Sequence, residues 1–290
     1  MKSRDGTIWV GNTQGSLNLL DPVSLSLSSL KVEFPLEGRK GILRLFEDEQ
    51  GKIWICSRTG LHVYDREKDR FYHFSEEEEK LSAYAVYGLI AGEDGLLWIA
   101  CQRGILSLSN INFTEDGKIE ADIRKPPKRF TYLHEGLAFR IVPAKDGGMW
   151  INAWQHGFVY FHPKREDYHF YPLVSEEENG EAIEVYDIAE DAEGNLWGSS
   201  KNHGLVKLNP QNSEVAYVRY DAERESSLVS NTLMGLYFDE ENVIWAGTYG
   251  AGLNYHHPNK SKFRHVQADD APDGISYPLV YSIYPSRFDK

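Results

Sequence analysis

The side chains with the most capacity for chemistry in this sequence are polar and aromatic residues that follow a recurring tryptophan segment or link one repeat to the next. They differ from repeat to repeat, as residues of a binding surface do and residues of a repeated framework do not. Cationic and amide groups beside a flat aromatic ring suit the hydroxyls and the apolar face of a sugar or another small polar ligand. The alternative is ordinary variability of surface loops. The candidate ligand-binding residues are Arg58, Arg103, Glu135, Trp154, His156, Lys201, His203, Asn231 and Tyr249.

Catalytic and metal-binding patterns are weak in this sequence. A glycosidase or lyase would need paired carboxylates on one face, and Glu135 is the single acidic residue of the candidate set. His256 and His257 are neighbours, and neighbouring residues of a strand point to opposite faces. The acidic residues of each turn are too few for a calcium site. The sequence therefore predicts no catalytic residue, no metal and no cofactor.

Six copies of an apolar–Trp–apolar segment show that the sequence is built from internal repeats. The tryptophans stand 45, 44, 52, 47 and 48 residues apart, and each follows a turn rich in Asp, Glu or Gly. Trp154 alone falls outside this register. A fixed place within a strand predicts that the repeated tryptophans are structural and pack between neighbouring repeats. They are Trp9, Trp54, Trp98, Trp150, Trp197 and Trp245.

Each repeat of 44 to 52 residues reads as four short strands. An opening strand precedes the tryptophan strand, an alternating Gly-Leu strand follows it, and an aromatic strand closes the unit. The predicted closing strands include residues 71–74, 129–132 and 168–171. Period-two alternation with β-branched and aromatic residues is typical of strands, and helical periodicity is absent. The fold class predicted is all-β, a β-propeller of four-stranded blades.

The repeat boundaries predict a single propeller domain over residues 1–290. The first repeat lacks its opening strand, and residues 277–284 resemble an opening strand with no blade after it. Pairing this closing strand with the first blade would complete a six-bladed ring without exposed edges. The alternative is a fragment of a seven-bladed or longer array. The predicted blade segments are about 1–36, 37–80, 81–134, 135–178, 179–226 and 227–272.

Composition restricts the partners. Thirty-one Lys and Arg against 44 Asp and Glu give a net charge of -13, which repels nucleic acid and anionic lipid. No apolar run is long enough to span a bilayer, so we expect no direct membrane contact in this segment. The two cysteines, Cys56 and Cys101, are one register position apart in neighbouring repeats. Their side chains should face opposite ways, and we expect both to be buried and unpaired.

The repeats resemble those of two-component regulator propellers. The motif Asp-x-x-Gly-x-Leu-Trp stands at 191–197, the run Ile-Trp-Ala-Gly-Thr-Tyr-Gly-Ala-Gly-Leu at 244–253, and a Ser-Leu-x-Ser-Asn link at 227–231. The sequence departs from the pattern by a long insertion around 112–127 and by Gly-Ser-Ser after Trp197. The resemblance implies the periplasmic or extracytoplasmic sensor region of a bacterial membrane-bound signalling protein. Such proteins are mostly hybrid histidine kinases and sometimes diguanylate cyclases, and they often respond to carbohydrates.

Three functions remain open from the sequence. The resemblance favours a non-catalytic sensor propeller that binds a carbohydrate or another small polar ligand. A protein-interaction scaffold, including a homodimer, would need no small ligand. A propeller lyase or glycosidase is the third alternative. Propellers host many functions, so the fold alone does not choose among them.

Overall fold

Strands account for nearly all regular structure in the computed structural model of this protein. The structure describes residues 1–21, 24, 26–30, 32, 41–74, 81, 84–175, 180–224, 226–257, 263–266, 275, 278–281 and 283. Within these ranges the only α-helix is a four-residue turn, α1 (Thr131–His134). The prediction of an all-β chain with helix nearly absent is therefore confirmed.

Most strands pair antiparallel with their neighbours along the chain, and one parallel pair, between the strands Arg70–Phe74 and Lys118–Arg124, joins two such meanders. A three-stranded sheet comes first, with β1 (Ile8–Gly11), β2 (Leu17–Leu20) and β3 (Leu27–Leu30). The next eight strands form one sheet and are β4 (Ile42–Glu47), β5 (Ile53–Ser57), β6 (Gly60–Asp65), β7 (Arg70–Phe74), β8 (Val86–Ala91), β9 (Leu97–Cys101), β10 (Gly104–Phe113) and β11 (Lys118–Arg124).

The rest of the chain continues the same pattern. A four-stranded sheet follows α1 and comprises β12 (Ala138–Pro143), β13 (Met149–Ala153), β14 (Gly157–His162) and β15 (Asp167–Pro172), and a small hairpin comprises β16 (Val174–Ser175) and β17 (Glu181–Ala182). Two further four-stranded sheets comprise β18 (Val185–Glu190), β19 (Leu196–Ser200), β20 (Leu205–Asn209) and β21 (Glu214–Val218), then β22 (Leu233–Phe238), β23 (Ile244–Thr248), β24 (Leu253–His256) and β25 (Arg264–Val266).

The chain divides into two compact units. The first holds residues 1–143, 147–153 and 160–168, and the second holds 144–146, 154–159 and 169–290. In the first unit the opening strands β4, β8 and β12 lie side by side, and in the second β18 lies beside β22. The apolar residues of the flanking tryptophan strands fill the spaces between these sheets.

A core cluster of the first unit is built from strands of both halves of the eight-stranded sheet. It contains Trp54 and Cys56 from β5 together with Ile99 and Cys101 from β9. Both cysteines are buried and free, as predicted. They stand at different register positions relative to the tryptophan and still share one core, because residues from both halves of the sheet contribute to that cluster.

The closing strand of the third repeat differs from the prediction. Residues 129–132 do not form a strand: Phe130 precedes α1, which covers Thr131 to His134. Instead the apparent insertion forms the end of β10 and all of β11, whose Ile119 is buried. β11 pairs with β10 and also, in parallel, with β7, so that two repeats merge into one sheet.

A carboxylate closes the turn before several tryptophan strands and binds the indole. Asp191 accepts the backbone N–H groups of Glu193 and Asn195 with one oxygen and the indole N–H of Trp197, at 2.7 Å, with the other. Asp48 with Trp54 and Asp239 with Trp245 repeat this arrangement at 2.8 and 2.9 Å. The aspartate therefore fixes the turn and the orientation of the ring together.

The same turns need a residue three positions before the tryptophan in the left-handed region. Gly194 has φ of +84°, which glycine adopts without steric cost. In the last repeat Asn242 takes this position with φ of +58°. Asparagine tolerates that region better than other non-glycine residues, so the turn type is retained.

The last part of the described chain begins another repeat. Val280 donates its N–H to the carbonyl of Thr248 at 3.0 Å and lies against Gly247. Ile42, the first residue of β4, makes the matching contacts with Asn12 and Gly11 after the first tryptophan strand. Residues 278–281 therefore take the place of an opening strand. Pairing of residues 277–284 with the first blade, and closure at six blades, remain predictions.

We expect Asp191→Ala to destabilise the protein by about 1–3 kcal/mol, because it leaves buried donors without their acceptor. Asp191→Asn should cost less, since its single carbonyl oxygen still serves one of the two groups of donors. Urea unfolding measures both free energies. The control is Asp116→Ala at an exposed hairpin tip, where the free energy of unfolding should be nearly unchanged. Equal effects at Asp191 and Asp116 would contradict the structural role of the turn carboxylate.

Candidate functional site

Every opening strand that pairs with a tryptophan strand carries a β-bulge at its second residue. In β8, for example, the register passes from Val86 opposite Cys101 to Gly88 opposite Ala100, and Tyr87 between them has no partner. Bulges turn a side chain away from the regular ladder and are common beside functional sites. The bulge residues are large, apolar or aromatic, and half-buried: Leu43, Tyr87, Phe139, Tyr186 and Met234.

Sequence reasoning missed the bulge residues as a set. Each stands 11 positions before its tryptophan, which was a usable signal. A strict alternation assigns these positions to one face of the opening strand, and nothing in the sequence alone shows that the ladder is interrupted there. Tyr281, which follows Val280, occupies the matching position and is 58% exposed.

Aromatic rings meet at one of these bulges in the second unit. The rings of Trp154 and Tyr186 lie 5.5 Å apart and are tilted, and both side chains are half-buried. Tyr249 is 60% exposed and lies close enough to Tyr186 to affect its ionisation. Burial, followed by the negative charge of Glu184, raises the pKa of Tyr186, so its hydroxyl remains a hydrogen-bond donor at neutral pH.

Polar groups border these rings. Glu184 forms an ion pair with Lys201 at 3.0 Å, and its other oxygen accepts the side-chain amide of Gln155 at 3.1 Å. The hydrogen bond from Lys201 lowers the pKa of Glu184, and the same bond raises the pKa of Lys201. The two charges compensate each other. We call Trp154, Gln155, Glu184, Tyr186, Lys201 and Tyr249 the aromatic patch.

Arg58, Arg103 and Glu135 are the candidates that belong to the first unit. The guanidinium of Arg103 lies 4.3 Å from the centre of the Tyr84 ring, and the rings of Tyr87 and Phe139 are 5.0 Å apart. Arg58 acts electrostatically on Tyr87, whose pKa is raised by burial against the opposing effect of this cation. Both arginines are exposed. Glu135 is also exposed, directly after α1.

The three other candidates, His203, Asn231 and His156, differ in exposure and in what they bind. His203 is buried, at 7% exposure. Asn231 supports the chain itself, since its side-chain oxygen accepts the N–H of Tyr220 at 2.7 Å and its carbonyl accepts two N–H groups of the preceding loop. His156 is exposed, and its carbonyl accepts the N–H of Leu173. A ligand-binding role for the predicted set stays a prediction.

Neither a metal-binding cluster nor a membrane-spanning helix occurs among the described residues. No group of three or more His, Cys, Asp or Glu side chains comes together there in a way that could hold a metal ion. Among the same residues, no helix has the length and apolar character needed to cross a membrane.

The fold that these sheets define is the β-propeller. Among solved structures, the WD40 β-propeller domain of Doa1 has a TM-score of 0.59 with this chain at 12% identity, and the match covers 86% of this chain and 74% of that domain. The predicted fold class is therefore confirmed. The number of blades stays a prediction.

Bacterial sensor domains are also similar to this chain. They are extracellular domains assigned to one-component and hybrid two-component systems of B. thetaiotaomicron. For a hybrid two-component system the TM-score is 0.72 at 17% identity, and the match covers 99% of this chain and 37% of that one. The chain thus spans about a third of the length of these domains. They belong to the class of protein that the repeats resemble.

An enzyme occurs among the similar folds as well. A catalytically inactive virginiamycin B lyase from Staphylococcus aureus has a TM-score of 0.63 at 14% identity, over 91% of this chain and 82% of the lyase. No protein-family model matches the sequence, and no curated protein matches it.

We expect Trp154→Ala to leave the fold intact, because Trp154 is half-buried and outside the repeated register. Trp54→Ala should cost about 3–5 kcal/mol, the range for a fully buried large aromatic. Thermal and urea unfolding compare the two variants. If Trp154→Ala lowers the stability as much as Trp54→Ala, Trp154 is a core residue and the aromatic patch is not a free surface.

The ion pair of the aromatic patch predicts a pH profile. The pKa of Glu184 lies below its ordinary value of 4.5, so the carboxylate should remain charged and paired from pH 8 to pH 5, and the pair should be lost as the pH falls through the lowered pKa. Carboxyl-carbon NMR follows this titration. Lys201→Gln should move the midpoint of Glu184 up toward 4.5. An unchanged midpoint would show that the two side chains are not paired in solution.

Proposed function

We propose that this chain is a ligand-binding propeller of a bacterial membrane-bound signalling protein of the two-component type, located outside the cytoplasm. The similarity to extracellular domains of such systems supports this assignment, together with the resemblance of the repeats. The chain itself performs no catalysis under this proposal. A kinase or cyclase would belong to the rest of the protein.

The ligand assigned to the aromatic patch is a carbohydrate or another small polar molecule without net charge. The observation that carries this assignment is the packing of Trp154 on Tyr186 beside the Glu184–Lys201 pair. Aromatic rings offer a flat apolar face, while the carboxylate, ammonium and amide groups can exchange hydrogen bonds with hydroxyls. Because the charges of Glu184 and Lys201 compensate each other, the patch has no excess charge to attract an ion.

The enzyme alternative has less support. The similar lyase has a lower TM-score than the sensor domains, and a shared fold does not carry a shared reaction. In the patch, Glu184 is engaged by Lys201 and Gln155, so it is not a second free carboxylate to act with Glu135. Turnover of a glycan by the purified chain, abolished by Glu135→Gln, would favour the enzyme.

The experiment is a binding screen of neutral mono- and oligosaccharides by calorimetry. A sugar that binds the patch should lose about tenfold in affinity in Trp154→Ala and in Tyr249→Ala, since each variant removes a stacking face. The matched control is Tyr220→Ala, which removes another exposed tyrosine outside the patch and should bind normally. Binding that is equal in all three variants would exclude the patch.

The same purified protein distinguishes the scaffold alternative from the sensor proposal. A chain that acts through self-association should sediment as a dimer without added sugar, whereas the sensor proposal does not require it. If no sugar binds and the chain dimerises through a surface containing Trp154 or Tyr249, the patch is a protein interface instead. Sedimentation velocity of the wild type and of Trp154→Ala decides this.

A further inference from the structure

Glu184 is the acidic residue of the aromatic patch and is held at two points. It directly precedes β18, and its carbonyl accepts the backbone N–H of Lys201 at 2.9 Å. Its carboxylate pairs with the ammonium of the same lysine at 3.0 Å. The Glu184 side chain keeps 23% of its surface exposed. The carboxylate is therefore fixed in place and still reaches solvent.

Gln155 binds the other oxygen of this carboxylate from a backbone conformation that disfavours glutamine. Its φ is +58°, in the left-handed region, and the residues at the same distance from the tryptophan in the next two repeats are Asn202 and Gly250, also with positive φ. The side-chain amide of Gln155 donates to Glu184 at 3.1 Å. A glycine would adopt this φ without steric cost but could not make the contact.

Both oxygens of Glu184 have room for a further hydrogen bond. One accepts from Lys201 and the other from Gln155, whereas a carboxylate offers about four acceptor positions in all. Within the part of the chain that the structure describes, neither oxygen has another hydrogen-bond donor. The hydrogen bond from Lys201 lowers the pKa of Glu184, so at neutral pH the carboxylate is ionised and acts only as an acceptor.

The two groups that bind Glu184 can also donate to a ligand. An ammonium carries three N–H groups and a side-chain amide carries two, and Lys201 and Gln155 each direct one of them to the carboxylate. A hydroxyl can donate to Glu184 and accept from one of these neighbours at the same time. A carbonyl or an ether oxygen can only accept. The polar edge of the patch therefore matches hydroxyl groups.

An aromatic surface lies beside these polar groups. Trp154 directly precedes Gln155, and its ring is 5.5 Å from that of Tyr186, which is two residues after Glu184. The C–H face of a sugar ring can lie on such a surface while hydroxyls at its edge reach the carboxylate. Two hydroxyls on adjacent carbons have a spacing comparable to that of the two oxygens of one carboxylate. One glutamate can therefore accept from both hydroxyls.

We propose that Glu184 is a specificity-determining residue of the aromatic patch and selects ligands with hydroxyls on two adjacent carbons. Each oxygen of Glu184 accepts from one hydroxyl of this diol. Lys201 and Gln155 orient the carboxylate and donate to the same hydroxyls. This selectivity rests on the proposed sugar-binding role of the patch and narrows the ligand to a neutral molecule with a vicinal diol. A neutral polar molecule with one hydroxyl or none is a poor ligand.

Calorimetry and ligand-observed NMR with the methyl glycosides of glucose, galactose and mannose test this contact, each beside its monodeoxy analogues. For a glycoside that binds, two analogues that lack hydroxyls on adjacent carbons should bind about tenfold more weakly, and the others should bind normally. Loss at one position only, or at two positions that are not adjacent, would contradict a diol contact. Absence of saturable binding for all three glycosides at tens of millimolar would overturn the diol contact and the sugar-binding role together.

Two variants locate the contact on the protein. Glu184→Gln replaces one acceptor oxygen by an amide and should weaken binding of that glycoside about tenfold. The matched control is Glu181→Gln, which changes the net charge equally at an exposed glutamate of β17 outside the patch and should bind normally. Gln155→Gly should melt no lower than the wild type, because glycine relieves the positive φ, and should still weaken binding, because the carboxylate loses its support.

The outcomes separate the diol contact from the wider role of the patch. Weak binding in Glu184→Gln and in Gln155→Gly, with normal binding in Glu181→Gln, supports the selection of a diol by Glu184. If Trp154→Ala loses binding while Glu184→Gln binds normally, the patch is a sugar site that Glu184 does not control, and only the diol contact is wrong. Equal weakening in Glu184→Gln and Glu181→Gln indicates a general effect of charge and also overturns it. Normal binding in Gln155→Gly contradicts the orienting role of the glutamine.

Discussion

The contact between a turn carboxylate and the indole that follows it governs much of this fold. One oxygen of Asp191 closes the hairpin and the other holds the indole N–H of Trp197, so the turn and the ring cannot move independently. The ring in turn packs on Phe238 of the next opening strand, with the centres 6.0 Å apart. A buried carboxylate with several donors is costly to remove, and it fixes the spacing of adjacent sheets.

The sequence predicts the framework well and the site less well, for physical reasons. Tryptophans at regular spacing and alternating strands identify a repeated sheet because they reflect burial, which depends on side-chain type. Strand β11 was missed because its alternation of Ile119, Ala121 and Ile123 stands in a segment that exceeds the repeat length. Residues 129–132 have the aromatic content of a strand but form the approach to a helix. The burial of His203 depends on loop geometry that residue types do not reveal.

In each opening strand the bulge residue is distinct from the residues that pair with the tryptophan strand. Residues on either side of Tyr186 stay in register with the tryptophan strand, while Tyr186 itself stands at the bulge, with its ring 5.5 Å from that of Trp154. A substitution at that point changes the exposed surface with little effect on pairing. Leu43, Phe139 and Met234 hold the same position with different side chains. The strand pairing is therefore the same in these repeats, while the side chain at the bulge differs from one repeat to the next.

The parallel pairing of β7 with β11 has a consequence for the energetics of the first unit. In most repeat proteins neighbouring repeats contact each other through side chains. One repeat can then unfold with the loss of its own structure and of its side-chain contacts to the two neighbours. Here the backbones of two repeats share one hydrogen-bonded ladder at His73 and Phe74. Amide protons on both sides of this junction belong to one cooperative block, so they should exchange with solvent as a group. We therefore expect the second and third repeats to unfold together as one unit, whereas the other repeats interact with their neighbours mainly through side chains.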